Sequence, residues 1–196
     1  LGKTFEHRSG VAIPERWFDE HMFVEKKDGR IWSLIRTAYG IGESYSSDGG
    51  KTWSTGENTE WRGPNSRFFI RRLLSGKLLL INHQVGQKED HESFPKRCML
   101  TAYLSDDDGK NWYGGLMLDE RINVSYPDGV QDSNGNIWII YDHERYTHGD
   151  ILFACFTEED VAAGKCVSSI ASLKNLINST GGVKNEENRS QTNVMI

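Results

Sequence analysis

Long apolar runs are missing from this 196-residue chain. No stretch approaches the roughly 18 consecutive apolar residues of a membrane-spanning helix, so no membrane span is expected. Cysteine and proline are sparse, at three and four. Cys98, Cys155 and Cys166 show neither CxxC spacing nor a metal-ligand pattern; Cys98 and Cys155 lie in apolar strand-like runs, where a buried free thiol is expected. His83, His143 and His148 do not combine into a zinc spacing, and no metal or cofactor is expected. Basic clusters are absent as well. Net charge is -5, and the 23 Lys and Arg residues are scattered, which argues against a nucleic-acid partner. The chain opens Leu1-Gly2-Lys3, with neither Met nor an apolar leader, and reads as an internal start.

Glycine, by contrast, is plentiful at 20, and it marks a repeat. Phe23 to Arg36, Ile70 to His83 and Val130 to Asp142 each read as strand, glycine turn, strand. Asp28-Gly29, Ser75-Gly76 and Asn134-Gly135 supply the dipeptides that tight hairpins favour. A second element follows twice. Ser46 to Trp53 and Ser105 to Trp112 both fit S-x-D-x-G-x-[TN]-W. In such a turn Ser and Asp bond nearby backbone N–H groups, Gly takes a left-handed conformation and Trp packs onto the sheet. A calcium loop is the rival for SDDDG. With Gly109 at its sixth position it would need a ligand at Leu104, so a structural turn is expected.

The turn glycines stand 47 and 59 residues apart, which fits four-stranded propeller blades of roughly 40–50 residues with modest insertions. The expectation is an all-β fold of about three four-stranded antiparallel blades, residues 1–62, 63–122 and 123–180, with a tail at 181–196. Thr157-Glu158-Glu159-Asp160 predicts a helix start within the last blade. Three blades do not close a propeller, which takes about 4–8. A missing N-terminal half, or another copy of the chain, is therefore the expected partner.

Aligning the repeats on their glycines gives a constellation. Glu20, Arg67 and Tyr126 stand at one offset before the turns; Arg36, His83 and Asp142 stand at one offset after them. Hairpin geometry brings these two positions together at the end away from the turn. All six can ionise, although their strand neighbours are apolar. For any one of them a polar strand end at water is the plain explanation; six together point to a binding funnel. Arg121 and Arg145 read as solvated, with Arg145 able to line the rim.

At these residues the chain resembles the sialidase (neuraminidase) superfamily of glycoside hydrolases, with its Asp boxes and six-bladed propeller. The resemblance runs from about Glu15 to Gly164. EHMFVEKKDGRIWSLIR supplies a Glu and an Arg (Glu20, Arg36), RCMLTAYLSDDDGKNW an Arg before an Asp box (Arg97), and YPDGVQDSNGNIWIIYD a Tyr ahead of the last turn (Tyr126). The resemblance implies that Tyr126 is the nucleophile, Glu20 the base that takes its proton, and Arg36 and Arg97 two of three arginines gripping a substrate carboxylate. It implies a secreted or periplasmic protein. It also implies an acidic glycan as substrate. Arg67, His83 and Asp142 are expected as further binding residues from their repeat offsets alone, since His83 and Asp142 are not standard parts of that family. The family's first arginine and its acid/base Asp are not in this chain; Ala12-Ile13-Pro14-Glu15 lacks the Arg, and Pro127-Asp128 departs from the usual residues after the Tyr. A retaining exo-glycosidase is the leading expectation. A polysaccharide lyase with Tyr126 as base, and a glycan-binding propeller without turnover, are the alternatives.

Overall fold

The structure, a computed structural model, describes residues 3–84 and 96–180; the tail expected at 181–196 lies outside the described residues. Antiparallel strands form three four-stranded sheets, each a simple meander in chain order. The first holds β1 (Arg16–Glu25), β2 (Ile31–Thr37), β3 (Gly40–Ser46) and β4 (Glu57–Arg62). The second holds β5 (Phe69–Arg72), β6 (Leu78–His83), β7 (Leu100–Ser105) and β8 (Tyr113–Asp119). The third holds β9 (Val124–Gln131), β10 (Ile137–His143), β11 (Asp150–Phe156) and β12 (Ser172–Asn178). Among the described residues no helix is long and apolar enough to cross a membrane.

The three hairpins between the first two strands of each sheet are closed identically. Gly29 N–H donates to the Lys26 carbonyl at 2.9 Å and Lys26 N–H to the Arg30 carbonyl at 2.8 Å; Leu73/Gly76/Lys77 and Asp132/Gly135/Asn136 repeat both bonds. The turn glycines have φ of +84°, +84° and +88°, where a Cβ is unwelcome.

Strand alternation then stacks the sheets. β6 is buried at every position. Leu78 and Leu80 pack with Phe68 and Ile70 against Val24, Trp32, Leu34 and Ile41 of the first sheet. Leu79 and Ile81, on the opposite face, join Leu100, Ala102 and Leu104 against Ile137, Ile139, Tyr141 and Leu152 of the third. The second sheet is thus apolar on both faces because both are covered. In β10 Ile137, Ile139 and Tyr141 are buried toward the second sheet, while the alternate Trp138 and Ile140 stay exposed.

The two S-x-D-x-G-x-[TN]-W segments fold alike. Asp107 Oδ1 accepts from the N–H groups of Lys110 and Asn111 at 3.0 and 2.9 Å and from Ser105 Oγ at 2.9 Å, while Ser105 Oγ accepts from Gly109 N–H at 2.8 Å. Asp48 and Ser46 make the same set with Gly50, Lys51 and Thr52. The carboxylate is fully occupied in organising its own turn. Trp112 lies 5.7 Å from Trp61 across the first two sheets, and Trp53 lies 5.8 Å from Phe23.

The third sheet uses a helix in place of such a turn. Thr157 and Asp160 form a capping box at α1 (Glu158–Ala163). Asp160 also accepts from the N–H groups of Val167 and Ser168, and Val161 enters the core. Arg121, expected to be solvated, instead closes on Asp119, a buried carboxylate that also accepts from Tyr141 Oη at 3.0 Å.

Two outcomes follow from the turns. A Cβ on Gly109 would lie 2.6 Å from the Trp32 ring, whereas one on Gly50 would meet only Trp53, at 3.7 Å. Both glycines have positive φ, so urea denaturation should show Gly50→Ala costing about 1–2 kcal/mol for backbone strain alone. Gly109→Ala should cost about 1–3 kcal/mol more, for overpacking. Equal losses would contradict the packing described for Trp32. Separately, the backbone and side-chain donors of Asn111 lead in holding the Asp107 carboxyl down, from 3.8 to about 2. A depressed carboxyl stabilises the fold above its unfolded value and loses that effect as pH falls through the folded one. The urea midpoint should therefore drop between about pH 4 and pH 2, and Asp107→Asn should flatten that drop.

Candidate active site

Glu20, Arg36 and Tyr126 meet at one end of the sheets, the first two from neighbouring strands of the first sheet and the third from the third sheet. Tyr126 Oη donates to Glu20 Oε1 at 2.6 Å. Arg36 Nη1 donates to Glu20 Oε2 at 2.6 Å and to Tyr126 Oη at 3.1 Å. One guanidinium therefore fixes both members of a phenol–carboxylate pair. The rest of Arg36 is held by Asn65: Nε donates to Asn65 Oδ1 at 2.5 Å and Nη2 to the Asn65 carbonyl at 2.9 Å. Phe18 lies over the guanidinium at 4.5 Å, and the Arg36 side chain is only 3% exposed.

Irregular pairing aims these side chains. Between Arg16 and His21 five steps of β1 run against two of β2, from Thr37 to Ile35, so Glu20 sits in a bulged segment. In β9, Ser125 pairs with Asp142 and Asp128 with Ile140, leaving Tyr126 and Pro127 opposite Tyr141 alone. Tyr126 has φ +56°, a conformation costly for a bulky residue. The bulge frees its side chain from the alternation that would otherwise fix its direction. Pro127, which has no N–H for a ladder, is at home there.

Two more guanidinium groups flank the Tyr126 ring, Arg145 at 4.1 Å and Arg97 at 5.8 Å. Arg97 Nη2 donates to the Asn65 carbonyl at 2.9 Å, and Nη1 approaches Ser125 Oγ at 3.5 Å. Asn65 thus ties Arg97 to Arg36 through one oxygen. Arg145 donates from Nε to Asp142 Oδ2 at 2.9 Å and from Nη2 to the same oxygen; Asp142 Oδ1 accepts from Ser125 Oγ at 2.6 Å. A pocket opens beside Arg97 and Arg145, lined also by Asn123, Ser125, Glu144 and Tyr146; Glu20, Arg36 and Tyr126 are not among its lining residues.

The electrostatics follow from these contacts. Burial alone would raise the Glu20 carboxyl. The hydrogen bonds from Tyr126 and Arg36, with the charges of Arg36 and Arg67, outweigh it and hold the group below its ordinary value. Glu20 is thus held as a carboxylate that accepts a hydrogen bond from the Tyr126 hydroxyl. For Arg97, burial and then the neighbouring charge of Arg36 oppose the cation.

All seven sequence-designated residues can be placed. Glu20, Arg36 and Tyr126 are in direct contact, with Arg97 beside them. Arg67 lies at the rim, donating to Asp128 Oδ2 at 3.0 Å. His83, expected to bind substrate, is instead buried: its Nδ1 bonds the Cys98 carbonyl at 3.0 Å and its Nε2 the Ser66 hydroxyl at 3.1 Å. Burial pushes it down to about 4, so it is neutral near pH 7 and braces the backbone at Cys98, directly after Arg97. Asp142 is likewise buried and turned toward Ser125 and Arg145. Sequence reasoning missed Asn65, which belongs to no repeat offset, and left Arg145 at the rim; its spacing of three residues from Asp142 was the available signal.

Solved structures with similar folds include the NanB sialidase of Streptococcus pneumoniae, 17% identical, with a TM-score of 0.61 over 82% of this chain and 26% of that one. The α-L-arabinofuranosidase Arb93A of Fusarium graminearum is 14% identical, with a TM-score of 0.54 over 93% of this chain and 56% of its own. A protein of unknown function from Dyadobacter fermentans is 20% identical, with a TM-score of 0.52 over 73% of this chain and 39% of its own. The chain therefore spans little more than half of Arb93A and about a quarter of NanB, and at these identities the likeness concerns the fold. No curated protein matches. A family model, the BNR repeat-like domain, matches residues 19–139, well over half of the chain. With its three glycine-turn sheets, this chain belongs to the BNR repeat-like domain family.

Proposed function

We propose that the chain carries the nucleophile half of a retaining glycoside hydrolase of sialidase type, acting on a terminal acidic sugar. The observation that carries the reading is the 2.6 Å hydrogen bond from Tyr126 Oη to Glu20, with Arg36 bonded to both. Glu20 takes the phenolic proton while Oη forms a bond to the anomeric carbon and the bond to the leaving oxygen breaks. Water later displaces the tyrosine, giving its proton to the conjugate base of the acid that had protonated the leaving oxygen, while the proton on Glu20 returns to Oη. A neutral phenol approaches an anionic sugar without the repulsion that a carboxylate nucleophile meets, which is the rationale for tyrosine in this class. Arg36 acts here chiefly to hold the pair, since its bonds already run to Glu20, Tyr126 and Asn65. Arg97 receives the sugar's carboxylate, a task suited to a planar fork of N–H donors.

On this reading the three sheets are blades, half of a six-bladed propeller, and the two S-x-D-x-G-x-[TN]-W turns are its Asp boxes. The remaining blades, with the acid that protonates the leaving oxygen, come from the rest of a longer chain or from another copy. The resemblance to the sialidase superfamily supports a secreted or periplasmic protein.

Hydrolysis of a fluorogenic N-acetylneuraminic acid glycoside by the protein of the complete reading frame tests the reading, with an aryl arabinofuranoside for comparison. Tyr126→Phe should lower turnover about 10³-fold or more. Unchanged turnover would remove Tyr126 from the chemistry, and cleavage of the arabinoside alone would remove the acidic sugar. The pH profile gives a separate check. Glu20 must be ionised to act, and its carboxyl is held below its ordinary 4.5. The acid limb of kcat/KM should therefore lie below pH 4.5, with activity lost as pH falls through it. A limb above pH 5 would exclude Glu20 as the base.

A further inference from the structure

We infer that Arg145 is the second arm of an anion clamp with Arg97, and that Asp142 occupies that arm until a ligand carboxylate displaces it. The inference rests on the proposed reading of an acidic sugar and names a specificity-determining residue within it.

Arg97 is half-buried between two other guanidinium groups, and among the described residues no carboxylate stands within ion-pair distance of it. A half-buried cation gains from a counter-charge, and a ligand anion in the pocket that Arg97 lines would supply one. Arg36 is poorly placed to share the task. Phe18 covers it, and its N–H groups face Glu20, Tyr126 and Asn65. Arg145 is better placed. It lies over the same Tyr126 ring as Arg97, lines the same open pocket, and is about a third exposed. Its counter-ion, Asp142, is anchored by Ser125, the same side chain that Arg97 approaches. A carboxylate entering the pocket would thus meet two guanidinium groups at its walls and compete with one buried aspartate for the second; Glu144, which also lines the pocket, is held by Asn123 and Thr147. Tyr146, at the pocket's outer edge and largely exposed, offers an aromatic face to the sugar ring.

Isothermal titration calorimetry on the protein tests this, with N-acetylneuraminate and glucuronate as acidic probes and L-arabinose as the neutral one. Arg145→Met should weaken the tighter acidic probe at least about tenfold, the loss of a charge-assisted hydrogen bond, and leave arabinose unaffected. Arg145→Lys should recover part of that loss. Asp142→Asn, which keeps a partner for Ser125 but removes the competing charge, should tighten the acidic probe severalfold. A purely structural role for the pair would not produce that gain, so this variant decides the matter even if Arg145→Met folds poorly. Unchanged affinity in Arg145→Met, weaker binding in Asp142→Asn, or no affinity of the unaltered protein for either acidic probe would overturn the clamp. Turnover separates the two proposals. Binding that depends on Arg145 without hydrolysis keeps the clamp and sinks the glycosidase; hydrolysis with binding indifferent to Arg145 does the reverse.

Discussion

A carboxylate that accepts at once from a phenol and from a buried guanidinium is the contact on which the site depends. Glu20 and Arg36 belong to the first sheet and Tyr126 to the third, so their hydrogen bonds, all within 3.1 Å, exist only while the sheet between is held in place. β6 does that holding. Its Leu78 and Leu80 interlock with the first sheet and its Leu79 and Ile81 with the third, so one strand anchors both neighbours.

The loop before β5 shows how the middle sheet also contributes polar order. Asn65 uses one carbonyl to bind Arg36 and Arg97 together, which fixes two like charges near each other where their repulsion would otherwise part them. His83 works from below. Neutral and wholly buried, it grips the backbone at Cys98, next to Arg97. The chemistry-bearing groups are thus braced by residues that never reach the opening.

Much of this was legible in the sequence because the repeat is written in glycines. Hairpin turns, the serine–aspartate turns and the capped helix at Thr157 are local, each fixed by a few adjacent residues, and local rules suffice for them. Equal offsets from the turns also named Glu20, Arg36 and Tyr126. The same offsets named His83 and Asp142, whose side chains face inward, because counting along a strand gives position but not depth. Arg145 and Asn65 escaped for a related reason. They act from loops, and a loop's path depends on packing that no periodicity records. The Pro127 that looked like a departure from the family pattern fits the bulge that turns Tyr126 toward Glu20.

That bulge, with its counterpart in β1, separates two kinds of constraint. Residues inside a regular ladder are bound by alternation, so exchanging one for a different size or polarity disturbs the hydrophobic layers beneath. Glu20 and Tyr126 stand where the ladder is interrupted, and what they carry can be altered without rewriting the layers that hold the sheets together. A chain built on this frame can therefore exchange these two side chains while leaving its hydrophobic layers intact.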